Sequence, residues 1–202
     1  MYGILIYDGV EPIDIGATFG VLSMARRIAP DLNFAGVARE AGEVLCASGL
    51  KMQADFGFDD APAFDDLIVT GGPGWTDAAA DVATLDYLRG TAARITSVCT
   101  GAMILAAAGL LDGKQATTKH EVFAGETNPA TLFPSSVTCR HAALIDDGGT
   151  VTGGGVSLGI DTMFYCLARS HGPHVARETA RVMEYERALA ANRAALGYTS
   201  PG

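Results

Sequence analysis

An α/β fold, with a mostly parallel sheet covered by helices on both faces, is predicted by three features of the sequence. Short apolar, β-branched runs alternate with segments of helical spacing along nearly the whole chain. Leu67-Ile68-Val69 is apolar at every position, as a strand buried on both faces requires. Several runs also break on glycine clusters, most clearly Gly71-Gly72-Pro73-Gly74 and Gly153-Gly154-Gly155. With 202 residues, 25 of them Gly, 49% hydrophobic and 18% charged, the composition is that of one domain spanning 1–202 with a continuous core.

In chain order, Tyr2–Tyr7 is a strand ended by Asp8-Gly9 and Pro12, and Asp14–Ala29 is a helix with Ile15, Phe19, Leu22 and Ala25 at helical spacing. Leu32–Ala38 is a second strand, and Val44–Gln53, turning at Ser48-Gly49, a hairpin or bent strand pair. Asp65–Thr70 is a buried parallel strand that feeds the glycine loop, Thr84–Arg94 a helix, and Ile95–Val98 a short β-branched strand. Gly101–Leu111 is apolar on all sides and is predicted as a central, buried helix. Gln115–Thr118 follows as a strand, His120–Glu126 as a short helix, then Ser136–Cys139, Ala143–Ile145 and Val151–Thr152 as strands. Two helices, Ser157–Ser170 and Pro173–Ala195, close the pattern, and Gly197–Gly202 is expected to fray.

The charge balance excludes some function classes. Fourteen basic residues against 23 acidic ones leave a net charge of −9, and no basic cluster exceeds a pair such as Arg26-Arg27, so no nucleic-acid partner is expected. No apolar run reaches the roughly eighteen residues of a membrane span, and Met1–Tyr7 lacks the features of a secretory signal, so a cytoplasmic protein is expected. The four cysteines, Cys46, Cys99, Cys139 and Cys166, show neither C-x-x-C nor metal-ligand spacing. They read as free thiols in a reducing compartment: no metal site is expected, Cys46 and Cys166 serve as small buried hydrophobes, and Cys139 lies on a strand near a surface.

In open α/β sheets the functional crevice lies at the carboxyl ends of the strands. Three loops belong there: Glu11-Pro12-Ile13-Asp14, Gly71-Gly72-Pro73-Gly74 and Ser97-Val98-Cys99-Thr100-Gly101-Ala102. The third puts Cys99 at a strand-to-helix junction among small residues that tolerate a sharp turn, as a nucleophile elbow does. A helix N-terminus there favours negative charge, so Cys99 is expected to be a thiolate at neutral pH. The backbone N–H groups of Gly72 and Thr100, with Gly71 beside them, could receive charge developing on a substrate. Asp14, taken alone, is an ordinary helix N-cap. If the loops converge, a carboxyl beside a thiol titrates with it as a coupled pair, and a protonated Asp14 becomes a proton donor. Of the four histidines His120 is the best placed for a Cys–His dyad, whereas His141, His171 and His174 read as surface residues.

These segments, together with Ala108-Gly109-Leu110-Leu111-Asp112-Gly113, Ala116-Thr117-Thr118, Val151-Thr152-Gly153-Gly154-Gly155 and Gly159-Ile160-Asp161, resemble the ThiJ/PfpI superfamily (class I glutamine-amidotransferase-like), nearly end to end. Within it the chain looks most like isonitrile hydratases and the related sensor domains of AraC-type regulators. The resemblance implies a flavodoxin-like three-layer sandwich, a homodimer, a small-molecule substrate and no cofactor. It also implies a catalytic set of Cys99, Asp14 and Thr100, in which Cys99 attacks the isonitrile carbon, Asp14 delivers a proton, and water releases a formamide. Protease-like members carry His directly after the cysteine, where this chain has Thr100. Many relatives have His-Trp or His-Pro after Ala-Thr-Thr, where this chain has Lys119-His120, leaving open which of the two reaches the site. Two alternatives accompany the hydratase reading: a non-enzymatic sensor or redox module, and a glyoxalase-like enzyme acting on reactive aldehydes.

Overall fold

The computed structural model describes residues 1–199. Its strands are β1 (Tyr2–Leu5), β2 (Phe34–Val37), β3 (Gly42–Leu45), β4 (Lys51–Ala54), β5 (Asp66–Val69), β6 (Arg94–Ser97), β7 (Gln115–Ala116), β8 (Thr138–Cys139), β9 (Leu144–Asp147), β10 (Thr150–Gly153) and β11 (Tyr198–Thr199). The helices are α1 (Pro12–Ile15), which runs through a π-helical turn at Gly16–Gly20 into α2 (Val21–Ala25), then α3 (Trp75–Ala80), α4 (Val82–Gly90), α5 (Gly101–Ala107), α6 (Leu158–Val182) and α7 (Glu186–Leu196).

Seven strands form one sheet in the order β11-β9-β10-β6-β5-β1-β2. Every pairing in it is parallel except β9 with β10. Side chains alternate between faces along each strand, and that alternation builds two cores. Ile4 and Ile68 point to one face, where they meet Val21, Leu22, Met163 and Leu167 of the first helical segment and α6. Leu5, Leu67 and Val69 point to the other, against Ala78, Leu88, Ile104 and Leu105 of α3, α4 and α5. Each fully buried Leu or Ile contributes about 1.5–3 kcal/mol of transfer free energy, so both faces need their helices. The result is a three-layer, flavodoxin-like α/β sandwich with a mostly parallel sheet.

α5 is buried from Gly101 through Ala106, as its all-round apolar sequence predicts. The hairpin also forms, with β3 and β4 antiparallel on either side of Ala47–Gly49.

Several boundaries differ from expectation. α4 ends at Gly90, and Arg94 opens β6 because its guanidinium reaches the buried Asp66, at 3.0 and 2.7 Å. α3 is unanticipated; Asp81 ends it and caps α4 by accepting from the Thr84 N–H at 3.1 Å. The strand expected over Gln115–Thr118 stops at Ala116, because the Thr117 N–H turns to Thr152 Oγ1, at 2.9 Å. No helix forms over His120–Glu126: Glu126 spans a single turn there, its N–H on Phe123 O and its carboxylate on the Phe123 N–H, and Asn128 ties down His120 O. The helix expected over Pro173–Ala195 is two, because Glu184 takes φ 55° between α6 and α7. The break before Pro173 is present at Gly172, whose φ of 85° only glycine adopts readily.

Instead of fraying, Gly197 accepts from Ala143 N–H and Tyr198–Thr199 pair with β9. The buried Asp161 anchors this end by accepting from Tyr185 Oη, Asn192 Nδ2 and Tyr198 Oη at 3.0–3.1 Å. Positions 200–202, also expected to fray, lie outside the described residues.

Candidate functional site

At the carboxyl ends of β1, β5 and β6 the three glycine- and proline-rich loops do converge. Cys99 sits between β6 and α5 with φ 53°, a left-handed conformation that costs a non-glycine residue about 1–2 kcal/mol. Both of its backbone groups are held, the N–H on Gly154 O at 3.1 Å and the carbonyl by Thr118 Oγ1 at 2.8 Å. The strained elbow is therefore fixed by two separate loops.

Glycine is needed where this turn meets its neighbours. A Cβ on Gly101 would run into the Val69 carbonyl oxygen, and one on Gly71 would lie 2.8 Å from Cys99 Cβ and 2.5 Å from the Thr100 nitrogen. Both obstacles are backbone or tightly placed atoms with nowhere to retreat. Gly101→Ala is expected to lower stability by about 1–3 kcal/mol in urea denaturation. An unchanged midpoint would show that α5 can shift without cost.

Asp14 is fully buried. It is not the N-cap, which is Glu11, but lies within the first turn of α1. Its Oδ2 accepts from the Gly71 N–H at 2.8 Å, and its Oδ1 has no hydrogen-bond partner among the described residues. Burial is the main cause that raises the carboxyl to about 7, partly offset by the Gly71 N–H and the Cys99 side chain. The expected upward shift of Asp14 is thus present.

For Cys99 the expectation of a thiolate at neutral pH is corrected. Burial first, and the Asp14 carboxylate second, push the thiol up to about 12, while Thr100 and Lys119 pull it back. A seven-residue helix beginning at Gly101 is too weak a source of positive potential to outweigh that desolvation. Cys99 and Asp14 therefore form a coupled pair that holds two protons below about 7 and one above it.

Thr100 and Gly72 are joined, Gly72 N–H donating to Thr100 Oγ1 at 2.9 Å. In this arrangement the Gly72 N–H is occupied, so of the two anticipated anion donors the Thr100 N–H is the one directed at the sulfur. Gly71 serves Asp14 rather than the cavity.

Above Cys99 opens a cavity of about 620 Å³, lined by apolar Ile13, Pro73, Trp75, Val122, Phe123 and Val156 and by charged Glu11, Lys119, Glu121 and Glu126. Of the two residues after Thr118, it is Lys119 that lines this cavity. His120 turns away: its Nε2 lies 3.2 Å from Arg140 O, and its ring stacks on His141 with centroids 4.3 Å apart. A Cys99–His120 dyad is not formed. His141, His171 and His174 are exposed, as expected.

Sequence reasoning missed Tyr7, whose buried phenol donates to Thr70 O at 3.0 Å and lies close enough for Asp14 and Cys99 to affect it. It also missed the wall over 119–129, because that stretch has no periodicity to reveal it. Among the described residues no group of three His, Cys, Asp or Glu side chains is placed to hold a metal ion, and no helix is long and apolar enough to cross a membrane.

The family described as DJ-1/PfpI has a sequence model that matches residues 3–168. An isonitrile hydratase of Pseudomonas putida is 33% identical over 189 residues, covering 91% of this chain and 77% of that protein. The HTH-type transcriptional regulator GbdR of Pseudomonas aeruginosa is 28% identical over 92% of this chain, which spans 50% of the regulator's length. Among solved structures, a ThiJ/PfpI family protein from Pseudomonas syringae superposes with a TM-score of 0.75 at 27% identity, covering 92% of this chain and 74% of that one.

Proposed function

This chain belongs to the DJ-1/PfpI family, and from that premise we propose that it is an isonitrile hydratase with Cys99 as nucleophile and Asp14 as proton donor. The observation that carries the reading is a buried carboxyl with one free oxygen, interacting with a cysteine at a strained elbow, with no imidazole beside it. A thiol paired with an acid suits a small electrophile that needs both a nucleophile and a proton at the same carbon. The isonitrile carbon is such a centre.

In the active tautomer of the pair the proton sits on Asp14 and the sulfur is a thiolate. The sulfur forms a bond to the terminal carbon of R–N≡C, and Asp14 gives its proton to that carbon, leaving the thioimidate R–N=CH–S–Cys99. Water adds across the C=N bond, its oxygen to carbon and one proton to nitrogen. Asp14 then takes the remaining hydroxyl proton as the C–S bond breaks, which releases R–NH–CHO and restores the thiolate and acid. The Thr100 N–H steadies the negative sulfur at both ends of the cycle.

A cytoplasmic homodimer completes the proposal. The four free cysteines suit a reducing compartment, and the exposed Ile13, Leu45 and Leu50 supply apolar surface for a second copy. A second reading, a ligand-sensing domain, is favoured by the likeness to regulators such as GbdR. An uncharged alkyl isonitrile such as tert-butyl isocyanide separates the two. In D2O the hydratase is expected to yield a formamide deuterated at the formyl carbon, with a Cys99-bound adduct of the isonitrile mass in quenched samples. Binding without formamide would leave the sensing reading in its place.

A further inference from the structure

One side chain in the cavity has no assigned work. Among the described residues Lys119 is the only basic one lining the cavity, and it makes no ion pair. Its place is set by the elbow itself, since the preceding Thr118 holds the Cys99 carbonyl through Oγ1 at 2.8 Å. Its stem is laid against Gly155, where an added Cβ would come within 2.7 Å of Lys119 Cβ and 2.9 Å of Cγ. Gly155 is therefore glycine at the point where the lysine stem crosses the loop after β10. Beyond that stem the ammonium lies 5.9 Å from the Phe123 ring centroid, on the wall of the cavity above Cys99.

The surroundings of the thiol are otherwise hostile to a second negative charge. Asp14 lies beside it, Glu11 adds repulsion on Asp14, the Tyr7 phenol is buried nearby, and Glu121 and Glu126 line the same cavity. Coulomb attraction in so poorly hydrated a site is several-fold stronger than in water. A cation facing the same cavity favours the charged sulfur against these groups.

We propose that Lys119 is the counter-cation of the Cys99–Asp14 pair, a positioning residue that increases the ionised fraction of the attacking sulfur. The inference rests on the reading of Cys99 as the nucleophile. The Lys119 charge has the required sign at Cys99, where it favours the ionised sulfur, and it favours the ionised form of Asp14 as well.

The test uses iodoacetamide, which reports the thiolate without requiring any isonitrile chemistry. The rate of alkylation of the Cys99 peptide is followed by mass spectrometry against pH in the full chain, in Lys119→Met and in Lys119→Arg. Lys119→Met keeps the stem against Gly155 and removes only the charge. Its profile is expected to move upward by about one pH unit, a roughly tenfold slower alkylation near pH 7, with Lys119→Arg restoring most of the rate. Superimposable profiles for wild type and Lys119→Met would overturn the proposal, as would an Arg variant as slow as the Met one, because the lysine's effect would then be one of shape. If wild type fails to hydrate isonitriles but the order of alkylation holds, the hydratase reading falls and the role of Lys119 stands.

Discussion

Asp14→Asn is expected to lose isonitrile hydration by about 10²–10⁴-fold while its Cys99 alkylates faster than wild type at neutral pH. The two effects have one cause. Removing the carboxylate takes away the proton donor and also the negative charge that helps push the thiol up to about 12. Cys99→Ala loses turnover as well, but with nothing left to alkylate at that position. Wild-type turnover should rise as pH climbs through about 7, where the doubly protonated pair loses its first proton and the singly protonated pair, the source of thiolate and acid, forms.

Stability should move the other way. The folded Asp14 is raised from 3.8 to about 7, so between those values the folded chain holds a proton that the unfolded chain has released. Stability is therefore lost as pH rises through that window, and above it the buried carboxylate costs roughly 4 kcal/mol. Asp14→Asn removes that cost, so in urea denaturation the variant should exceed wild type near pH 8 and lose its advantage near pH 4. A variant no more stable at pH 8 would mean that the site tolerates the charge.

Asp66→Ala is expected to destabilise the chain by about 3–5 kcal/mol without disturbing the site. Asp66, at 2% exposure, accepts from Arg94 Nε and Nη2, from Arg169 Nη2 at 3.2 Å and from Ser170 Oγ at 3.1 Å. Most of the cost falls on Arg169, whose side chain is 19% exposed and whose Nε already lacks a partner, since Asp146 at 3.6 Å is its other carboxylate. Arg94 is half exposed and water compensates it. Because Asp66 opens β5 and the cavity lies past its far end, the pH profile of Cys99 alkylation should be unchanged. A stability loss below about 1 kcal/mol would show that the network contributes little beyond solvation of its charges.

Leu67-Ile68-Val69, Gly71-Gly72-Pro73-Gly74 and the setting of Cys99 are local signals, and each led to the element that the structure contains. Hydrophobic period and glycine placement depend on neighbours a few residues away, so the strand–loop–helix order, the buried α5 and the convergence of three loops were legible without coordinates. The coupling of Asp14 with a cysteine 85 positions later was legible only as a consequence of that convergence.

What tertiary structure alone decided depends on contacts distant in sequence. Loop 119–129 has no period to read, so only packing against Gly155 and Asn128 shows that Lys119 enters the cavity while His120 leaves it. The same holds for the last strand, which Asp161 fastens through Tyr198 while also holding Tyr185, just before α7, and Asn192 on it. Most consequential is the state of the thiol. Sequence places Cys99 at a helix start and so implies a thiolate, but the balance between that short helix and desolvation is set by burial, which belongs to the folded chain as a whole.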